Sequence, residues 1–248
     1  MRFSMEKQVF FELFSRFLRL HGLEKYDTDD KKEAFYNLTQ LMLETNAVMN
    51  VTAIREVEKI IPLHYIDCLL VADHFPIGAT VIDVGCGGGF PTLPLAIARP
   101  DLHITGVDST EKKVRYVAQT AEKLGLSNVT TVSARAEELI LWPNMRESFD
   151  VATSRAVARL NILDELCLPF VKIGGKAVIM KGAAGDEEYT EAATGIEKLG
   201  GKLVGIERGD LIVAENDVEK RTTILIEKIG ATPTQYPRQF GQIKKRPL

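Results

Sequence analysis

The residues from Val81 to Phe90 have the types and spacing best suited to chemistry, because they read Val-Ile-Asp-Val-Gly-Cys-Gly-Gly-Gly-Phe. A short β-branched run carries the acid Asp83. Glycines then stand at every second position, which are Gly85, Gly87 and Gly89. This pattern is typical of a parallel strand that turns into a helix and leaves its backbone open to a nucleotide-like ligand.

A second acid, Asp108, follows this turn at the spacing expected of a ribose-binding residue. The apolar run 102–107 comes about twenty residues later and ends in Asp108. An acid at the tip of the second strand can accept hydrogen bonds from ribose hydroxyls. The two features together predict a bound adenosine cofactor.

The glycine spacing decides between classes of cofactor. A dinucleotide fingerprint requires its third glycine at position 90, where this chain has Phe90, and a P-loop requires a Gly-Lys-Ser/Thr that does not follow here. The pattern G-x-G-x-G, with acids at both strand ends, resembles motif I of class I methyltransferases, which bind S-adenosylmethionine. A glycine-rich turn in another kind of α/β protein is the alternative interpretation.

The apolar periodicity predicts the elements that must position these residues. Strands are expected at 80–84, 103–107, 128–132, 149–153 and 175–180, and helical segments at 92–98, 111–124, 136–140 and 160–170. Such alternation predicts an α/β fold with a mostly parallel, doubly wound sheet. The carboxyl ends of its strands would bring the glycine turn, Asp108 and the loops after 132 and 153 together.

The segments before and after this sheet have a different pattern. Helical spacing predicts three N-terminal helices at 4–20, 30–46 and 62–74. Asp29 and Asp30 are candidate caps for the second helix, and Pro62 would open the third. In the tail, strands are expected at 202–207, 211–214 and 222–227, where they would close one sheet edge as an antiparallel hairpin.

The length and composition of the chain limit the number of domains it can form. A chain of 248 residues with 45% hydrophobic and 26% charged residues can bury one large core. We expect a helical segment over 1–76, a methyltransferase domain over 77–230 and a basic tail over 231–248. Charges interrupt the apolar stretch at 1–20, and no uncharged run is long enough to span a bilayer. We therefore expect a cytoplasmic protein without membrane contact.

The cysteine content and the charge distribution bear on which classes of protein this chain can belong to. The three widely separated cysteines (Cys68, Cys86 and Cys167) argue against a disulfide framework and against a zinc site. The net charge of −3 does not suggest a nucleic-acid binder, but its distribution is uneven, since no acid follows Glu227 while Lys228 and four later cations do. This tail is either a solubilising segment or a phosphate-contacting arm.

An ordered set of motifs along most of the chain carries a family resemblance. The set comprises Asn50-Val51-Thr52, His64-x-x-Asp67, 83–91, Val107-Asp108-Ser109, Lys112-Lys113-x-Arg115, Ser133-x-Arg135-Ala136-Glu137, Ser154-Arg155-Ala156 and Lys181-Gly182. From about residue 36 onward, this order resembles the bacterial small-subunit rRNA methyltransferase G family, also called glucose-inhibited division protein B. The basic ending from Tyr236 resembles the tail common in its Gram-positive members.

The resemblance implies methylation of guanine N7 at one site in a conserved 16S rRNA loop, with S-adenosylmethionine as cofactor and no metal. The family resemblance and the pattern of the glycine turn and Asp108 together predict eleven cofactor-binding residues. They are Asp83, Gly85, Cys86, Gly87, Gly89, Phe90, Asp108, Ser109, Ala136, Glu137 and Arg155. Two positions depart from the family pattern: Cys86 replaces the usual Thr or Ser, and Thr92 replaces the usual Gly.

Guanine N7 has a lone pair and no proton, so its methylation requires positioning and electrostatics rather than a base. The place after the fourth strand, where an Asn/Asp-Pro-Pro-aromatic motif would mark amine methylation, is occupied by Ser154-Arg155-Ala156-Val157. Cys167 lies in an apolar helix pattern and is expected to be a buried structural thiol. We expect Arg155 to be the catalytic residue that bridges cofactor and target nucleotide. A helix-capping or salt-bridge role is the alternative.

Several polar residues are second-tier candidates for RNA contact. They are Asn50, His64, Lys112, Lys113, Arg115, Arg135, Lys181, Arg238, Lys244, Lys245 and Arg246. His64 and Asp67 lie one helical turn apart and could pair structurally instead. A small-molecule methyltransferase and a non-catalytic ribosome-assembly factor remain alternative functions. The expected partner is 16S rRNA in the small ribosomal subunit, and nothing in the sequence requires more than a monomer.

Overall fold

The computed structural model describes residues 5–248 and is built around one seven-stranded sheet. The strands are β1 (Thr80–Val84), β2 (His103–Asp108), β3 (Val129–Ser133), β4 (Phe149–Arg155), β5 (Val171–Lys181), β6 (Gly201–Ala214) and β7 (Asp217–Lys228). Their order is β3-β2-β1-β4-β5-β7-β6, with β1 to β5 parallel and β7 antiparallel to both neighbours. The expected α/β fold with a mostly parallel sheet and an antiparallel closing edge is confirmed.

Helices precede the sheet and cover both of its faces. The α-helices are α1 (Lys7–Leu20), α2 (Asp29–Asn46), α3 (Val57–Ile60), α4 (Asp67–Leu69), α5 (Thr92–Ala98), α6 (Glu111–Lys123), α7 (Ala136–Leu139), α8 (Leu160–Cys167), α9 (Gly185–Lys198) and α10 (Phe240–Lys245). Residue 4, where the first helix was expected to start, lies outside the described residues. Thr28, not Asp29 or Asp30, stands at the N-cap of α2. Both acids lie in the first turn, where a negative charge interacts favourably with the positive end of the helix dipole.

The third N-terminal helix differs from its prediction. It starts at Val57 rather than Pro62, and Ile61–Ile66 form a π-helical turn between α3 and α4. Proline has no N–H and cannot complete the α-helical ladder, and a π-helical turn is a common way for a helix to absorb such an irregularity. A 3-10 turn over Ala72–His74 ends the segment.

The region after β5 also departs from the sequence interpretation. Helix α9 was not predicted, and the expected strands at 202–207 and 211–214 are one continuous strand, β6. The hairpin therefore pairs β6 with β7 through the two residues Glu215 and Asn216. Residues 208–210, which separate the two expected strands, lie on an exposed stretch of β6, where a strand needs no apolar side chains.

Two hydrophobic clusters pack on opposite faces of the sheet. Val81 and Ile82 are neighbours on β1, and they point into different clusters because side chains alternate along a strand. The first cluster joins α1, α2, α5 and α6, with Phe10, Phe14 and Phe35 fully buried. The second joins α7, α8 and α9. The N-terminal helices thus share a core with the sheet.

The strand order creates a crevice at one point of the sheet. The chain runs outward from β1 through β2 to β3, then returns to β4 on the other side of β1. The carboxyl ends of β1 and β4 therefore flank a topological switch point, where open α/β sheets bind their ligands. Within residues 5–248, no helix has the length and apolar character needed to cross a membrane.

Lys228 joins the end of β7 to the segment that follows α8. Its side chain is 0% exposed, and its Nζ donates to Glu147 at 3.0 Å, to the Leu168 carbonyl at 2.9 Å and to Thr232 Oγ1 at 2.8 Å. Glu147 also accepts from the Thr232 backbone N–H at 2.6 Å. The first cation after the last acid of the chain is therefore internal, and its charge is not offered to a phosphate.

We expect Lys228→Ala to lower the free energy of unfolding by about 1.5–3 kcal/mol, since it removes the buried donor of Glu147, the Leu168 carbonyl and Thr232 Oγ1. Lys220→Ala is the matched control, because Lys220 also lies on β7 but forms an exposed ion pair with Asp210 of β6, at 2.7 Å. Denaturant unfolding of both variants measures the difference. Equal midpoints for the two variants would contradict this role of Lys228.

Candidate active site

The turn after β1 adopts backbone conformations that require glycine. Gly85 has φ of +82°, and a Cβ there would collide with a methyl group of Val157. Gly89 has φ of +90°, and a Cβ there would lie 2.6 Å from Leu93 Cδ1. Left-handed backbone and close neighbours therefore explain the alternating glycines, because a side chain at either position would displace the turn.

Asp108 at the end of β2 holds the glycine turn in place. Its Oδ2 accepts from the Gly87 N–H at 3.1 Å, and its Oδ1 accepts from the Thr110 N–H at 2.8 Å. Each carboxylate oxygen has a second lone pair, so the group can still accept hydrogen bonds from a ligand's hydroxyls. The acid predicted to bind ribose thus also orders the loop next to it.

A cleft of about 490 Å³ opens over this turn. Nine of the eleven predicted cofactor positions line it: Gly85, Cys86, Gly87, Phe90, Asp108, Ser109, Ala136, Glu137 and Arg155. Gly88, Val51, Thr52, Val157 and Phe240 line it as well, and the sequence interpretation had not assigned them to the cofactor. The structure therefore brings the strand-end loops together at one site.

Asp83 and Gly89, the two remaining positions, lie outside the cleft wall. Asp83 is fully buried, and its Oδ2 accepts from the Thr92 hydroxyl at 2.6 Å. Burial raises the pKa of Asp83 to about 7, although the hydrogen bond from Thr92 acts to lower it. The other carboxylate oxygen, Oδ1, has no hydrogen-bond partner among residues 5–248. Thr92, which departs from the family pattern, thus supplies a donor to the acid beneath the turn.

Arg155 stands at the inner end of the cleft, held by three acceptors. Its Nη1 donates to the Leu63 carbonyl at 2.8 Å and to Asp67 Oδ2 at 2.7 Å, and its Nη2 donates to His64 Nδ1 at 3.1 Å. The guanidinium carbon lies 5.5 Å from the centre of the Phe90 ring. The N-terminal helical segment therefore fixes the direction of a side chain at the end of β4.

His64 is a neutral member of this network. Burial, and then the positive charge of Arg155, lower the pKa of His64 to about 3. Because Arg155 donates to Nδ1, we assign the ring proton to Nε2, which lies 2.7 Å from Thr52 Oγ1. The ring stacks on Phe90 with centroids 4.3 Å apart. His64 and Asp67 do not pair with each other, and both contact Arg155 instead.

Asp67 connects Arg155 to a residue that sequence reasoning missed. Its Oδ1 accepts from Arg221 Nε at 2.8 Å, so one buried carboxylate serves two guanidinium groups. Arg221 lies on β7, and no local motif marks it. Asn46 is a second missed residue, since its Oδ1 accepts from the Val51 N–H at 2.8 Å and orders the loop that lines the cleft.

A second cleft of about 660 Å³ adjoins the first and shares His64, Arg155, Ala156 and Val157 with it. Its other charged lining residues are Asp67, Arg159, Lys181, Glu188, Glu219 and Arg221. Ala156, between the two clefts, has φ of +56°, which is uncommon for a residue with a side chain. Arg155 therefore stands where two concave surfaces meet.

The predicted RNA-contacting residues fall into different environments. Lys113 and Arg135 line the first cleft, while Asn50, Lys112, Lys244, Lys245 and Arg246 are exposed outside it. Arg115 forms an exposed ion pair with Glu111 at 2.6 Å. Lys181 donates to the Ala158 carbonyl at 2.5 Å and pairs with Glu188 at 2.7 Å.

Arg238 corrects the expectation of a free basic tail. Its guanidinium and backbone N–H all contact Glu165, whose side chain is fully buried. A buried carboxylate requires a partner, so this cation is taken up inside the fold rather than offered to phosphate. The three cysteines are buried as well, and burial raises the pKa of each thiol well above its usual range.

The strand order, the glycine turn after β1 and the acid after β2 together define a Rossmann-like methyltransferase fold. A family model described as rRNA small subunit methyltransferase G matches residues 31–210, and the chain belongs to this family.

Comparisons with individual proteins agree with the family model. A Clostridium perfringens protein named ribosomal RNA small subunit methyltransferase G is 39% identical over 241 residues, which are 96% of this chain and 99% of the relative. A Brevibacillus brevis protein of the same name is 40% identical over 239 residues, covering 96% and 98%. The crystal structure of M. jannaschii TYW2 in complex with AdoMet has a TM-score of 0.54 at 17% identity, covering 74% of this chain and 80% of that one, and it supports the fold alone.

We expect Asp108→Ala to weaken binding of S-adenosylmethionine by about 1.5–3 kcal/mol, the range for a lost charged hydrogen bond. The variant also frees the Gly87 and Thr110 N–H groups, so the turn loses its brace. Calorimetric titration measures the affinity. Asp210→Ala, which removes an exposed acid far from the cleft, is the control. Unchanged affinity in Asp108→Ala would remove this residue from the site.

Proposed function

We propose that this chain transfers a methyl group from S-adenosylmethionine to N7 of one guanine in a conserved loop of the small-subunit rRNA. Family membership supports the substrate class. The position of Arg155 carries the proposal, because it stands where the cofactor cleft meets a second cleft able to admit a base. We further propose that the protein acts on the small subunit as a monomer in the cytoplasm.

The cofactor cleft suits S-adenosylmethionine along its length. In this proposal Asp108 accepts from the ribose hydroxyls, and the backbone of the glycine turn accommodates the methionine part. Adenine then lies toward Ala136 and Glu137, because β3 is the outer neighbour of β2. The cofactor supplies an electrophilic methyl group on a sulfonium, and the protein supplies its position.

The ionisation states around Arg155 fit methylation of an unprotonated nitrogen. His64 is neutral over the physiological range, and the buried thiols are protonated. Guanine N7 needs no proton removed, so transfer depends on holding N7 in line with the methyl group and on the electrostatics of the site. Cytosine C5 methylation would instead require a cysteine thiolate, which Cys86 and Cys167 do not provide.

The second cleft suits a nucleotide by its mixture of charges. The half-exposed Arg159 can contact phosphate or base acceptors, and the exposed Glu219 can accept from base N–H groups. Lys181, Glu188 and Arg221 are instead engaged in ion pairs of the fold. The exposed cations Lys112, Lys244, Lys245 and Arg246, with Asn50, extend the proposed RNA surface outside the clefts. Phosphate contacts of this kind position an RNA without reading its sequence.

The proposal is tested by incubating the purified protein with methyl-labelled S-adenosylmethionine and small ribosomal subunits that lack the modification. We expect label at one guanine, mapped by strand cleavage specific for N7-methylguanine. Free rRNA and a panel of small-molecule acceptors serve as parallel substrates. Label on a small molecule alone would identify a different substrate class. Tight cofactor binding without any label would indicate a non-catalytic assembly factor.

We expect Arg155→Ala to lower the rate of methyl transfer about 100-fold or more, because the group that positions cofactor and base is lost. The fold should persist, since Asp67 keeps its ion pair with Arg221. Arg155→Lys should remain impaired, as one ammonium cannot reproduce the fork of bonds to Leu63, Asp67 and His64.

The matched control is Arg208→Ala, which removes an exposed arginine paired with Asp186. Single-turnover transfer is measured together with thermal unfolding for all three variants. If Arg155→Ala folds normally and transfers methyl at the normal rate, Arg155 is structural.

A further inference from the structure

The C-terminal segment packs against the cofactor cleft. Phe240, the first residue of α10, lines this cleft together with Ala134, Arg135, Ala136 and Glu137. The Arg135 guanidinium carbon lies 5.9 Å from the centre of the Phe240 ring. A side chain from near the end of the chain therefore joins the loop after β3 in forming one wall.

This wall belongs to the adenine end of the cleft. Asp108 ends β2, and β3 lies on the far side of β2 from the glycine turn. A cofactor whose ribose contacts Asp108 and whose sulfonium lies near the turn places its base over the loop after β3. Phe240 then supplies an aromatic ring to the wall beside the purine, where ring contacts stabilise planar ligands.

The segment is anchored by an ion pair next to the cleft. Arg238 Nε and Nη2 donate to Glu165 at 2.9 and 2.6 Å, and the Arg238 backbone N–H donates to the same carboxylate at 2.7 Å. The next residue on α8, Leu166, lines the cleft. The acid that anchors the segment and a residue that lines the cleft are therefore adjacent on helix α8.

Two further contacts hold the segment down. Ile243 on α10 is fully buried in the second hydrophobic cluster, and the Arg146 guanidinium donates to the Tyr236 carbonyl. Undocking would leave Glu165 buried without its cation, which is strongly unfavourable. The segment is thus part of the folded domain, while the cations of α10, Lys244 and Lys245, stay exposed.

We propose that Phe240 is a cofactor-binding residue, and that the Arg238–Glu165 ion pair positions it as the outer wall for the adenine ring. The inference rests on the proposed cofactor and its orientation, but not on the RNA substrate. It also divides the basic ending into two parts, an anchored wall formed by Arg238 and Phe240 and an exposed cationic surface beyond it.

The test is calorimetric titration of Phe240→Ala without RNA, using S-adenosylmethionine and 5′-methylthioadenosine as separate probes. We expect the Kd to rise about tenfold for both, because both carry the adenine end. Phe240→Tyr, which keeps the ring, should bind normally. Gln242→Ala, which changes an exposed residue of the same helix, is the matched control and should bind as wild type does.

A second readout separates a cofactor wall from a purely structural contact. Trypsin can cut at the exposed Lys244 and Lys245, and we expect S-adenosylmethionine to slow this cleavage in the wild type but not in Phe240→Ala, because bound cofactor stabilises the docked segment. Arg238→Ala should raise the rate of cleavage and weaken both probes.

Wild-type affinity of Phe240→Ala for both probes would overturn the inference. A loss confined to S-adenosylmethionine would also overturn it, since Phe240 would then act on the methionine end. These outcomes are distinct from a failure of the proposed function, in which the wild type binds cofactor, Phe240→Ala binds weakly and no RNA is labelled.

Discussion

The buried carboxylate of Asp67 joins three distant parts of the chain. It lies in the N-terminal helical segment and bonds Arg155 at the end of β4 and Arg221 on β7, at 2.7 and 2.8 Å. A buried carboxylate without cations is strongly unfavourable, so the segment, the parallel strands and the closing hairpin are held in one arrangement. The direction of Arg155, and with it the junction of the two clefts, depends on this interaction.

The ionisable groups around that junction are buried, which fits the proposed transfer to an unprotonated nitrogen. His64 is neutral and stacked on Phe90, the thiols are buried, and Asp83 is enclosed beneath the glycine turn. None of these groups is placed to move a proton during transfer. In the proposed reaction rate acceleration comes from alignment, and the hydrogen bonds around Arg155 and Asp108 hold these two side chains in fixed directions.

The sequence predicted those parts of the fold whose conformation depends on residues close together in the chain. The β-branched runs of β1 to β4, the glycine turn and Asp108 could all be read from short windows. Helix α9 was missed because Gly185 and Gly195 and few large apolar residues weaken its pattern. Arg221 and Phe240 could not be found from the sequence alone, since each reaches the site through pairing or packing with elements distant in the chain. The acid-free tail was interpreted as either a solubilising segment or a phosphate-contacting arm, whereas Lys228 pairs with the half-buried Glu147 and Arg238 with the buried Glu165.

The docking of Phe240 has a consequence for synthesis of the protein. A ribosome makes the chain from its N-terminus, so the glycine turn and Asp108 emerge long before the residue that completes the cleft wall. The cleft therefore reaches its final shape only after the segment around Phe240 has followed the strands and the glycine turn. A chain that has emerged only as far as α8 carries Glu165 without its cation, and this acid gains its partner only when Arg238 arrives.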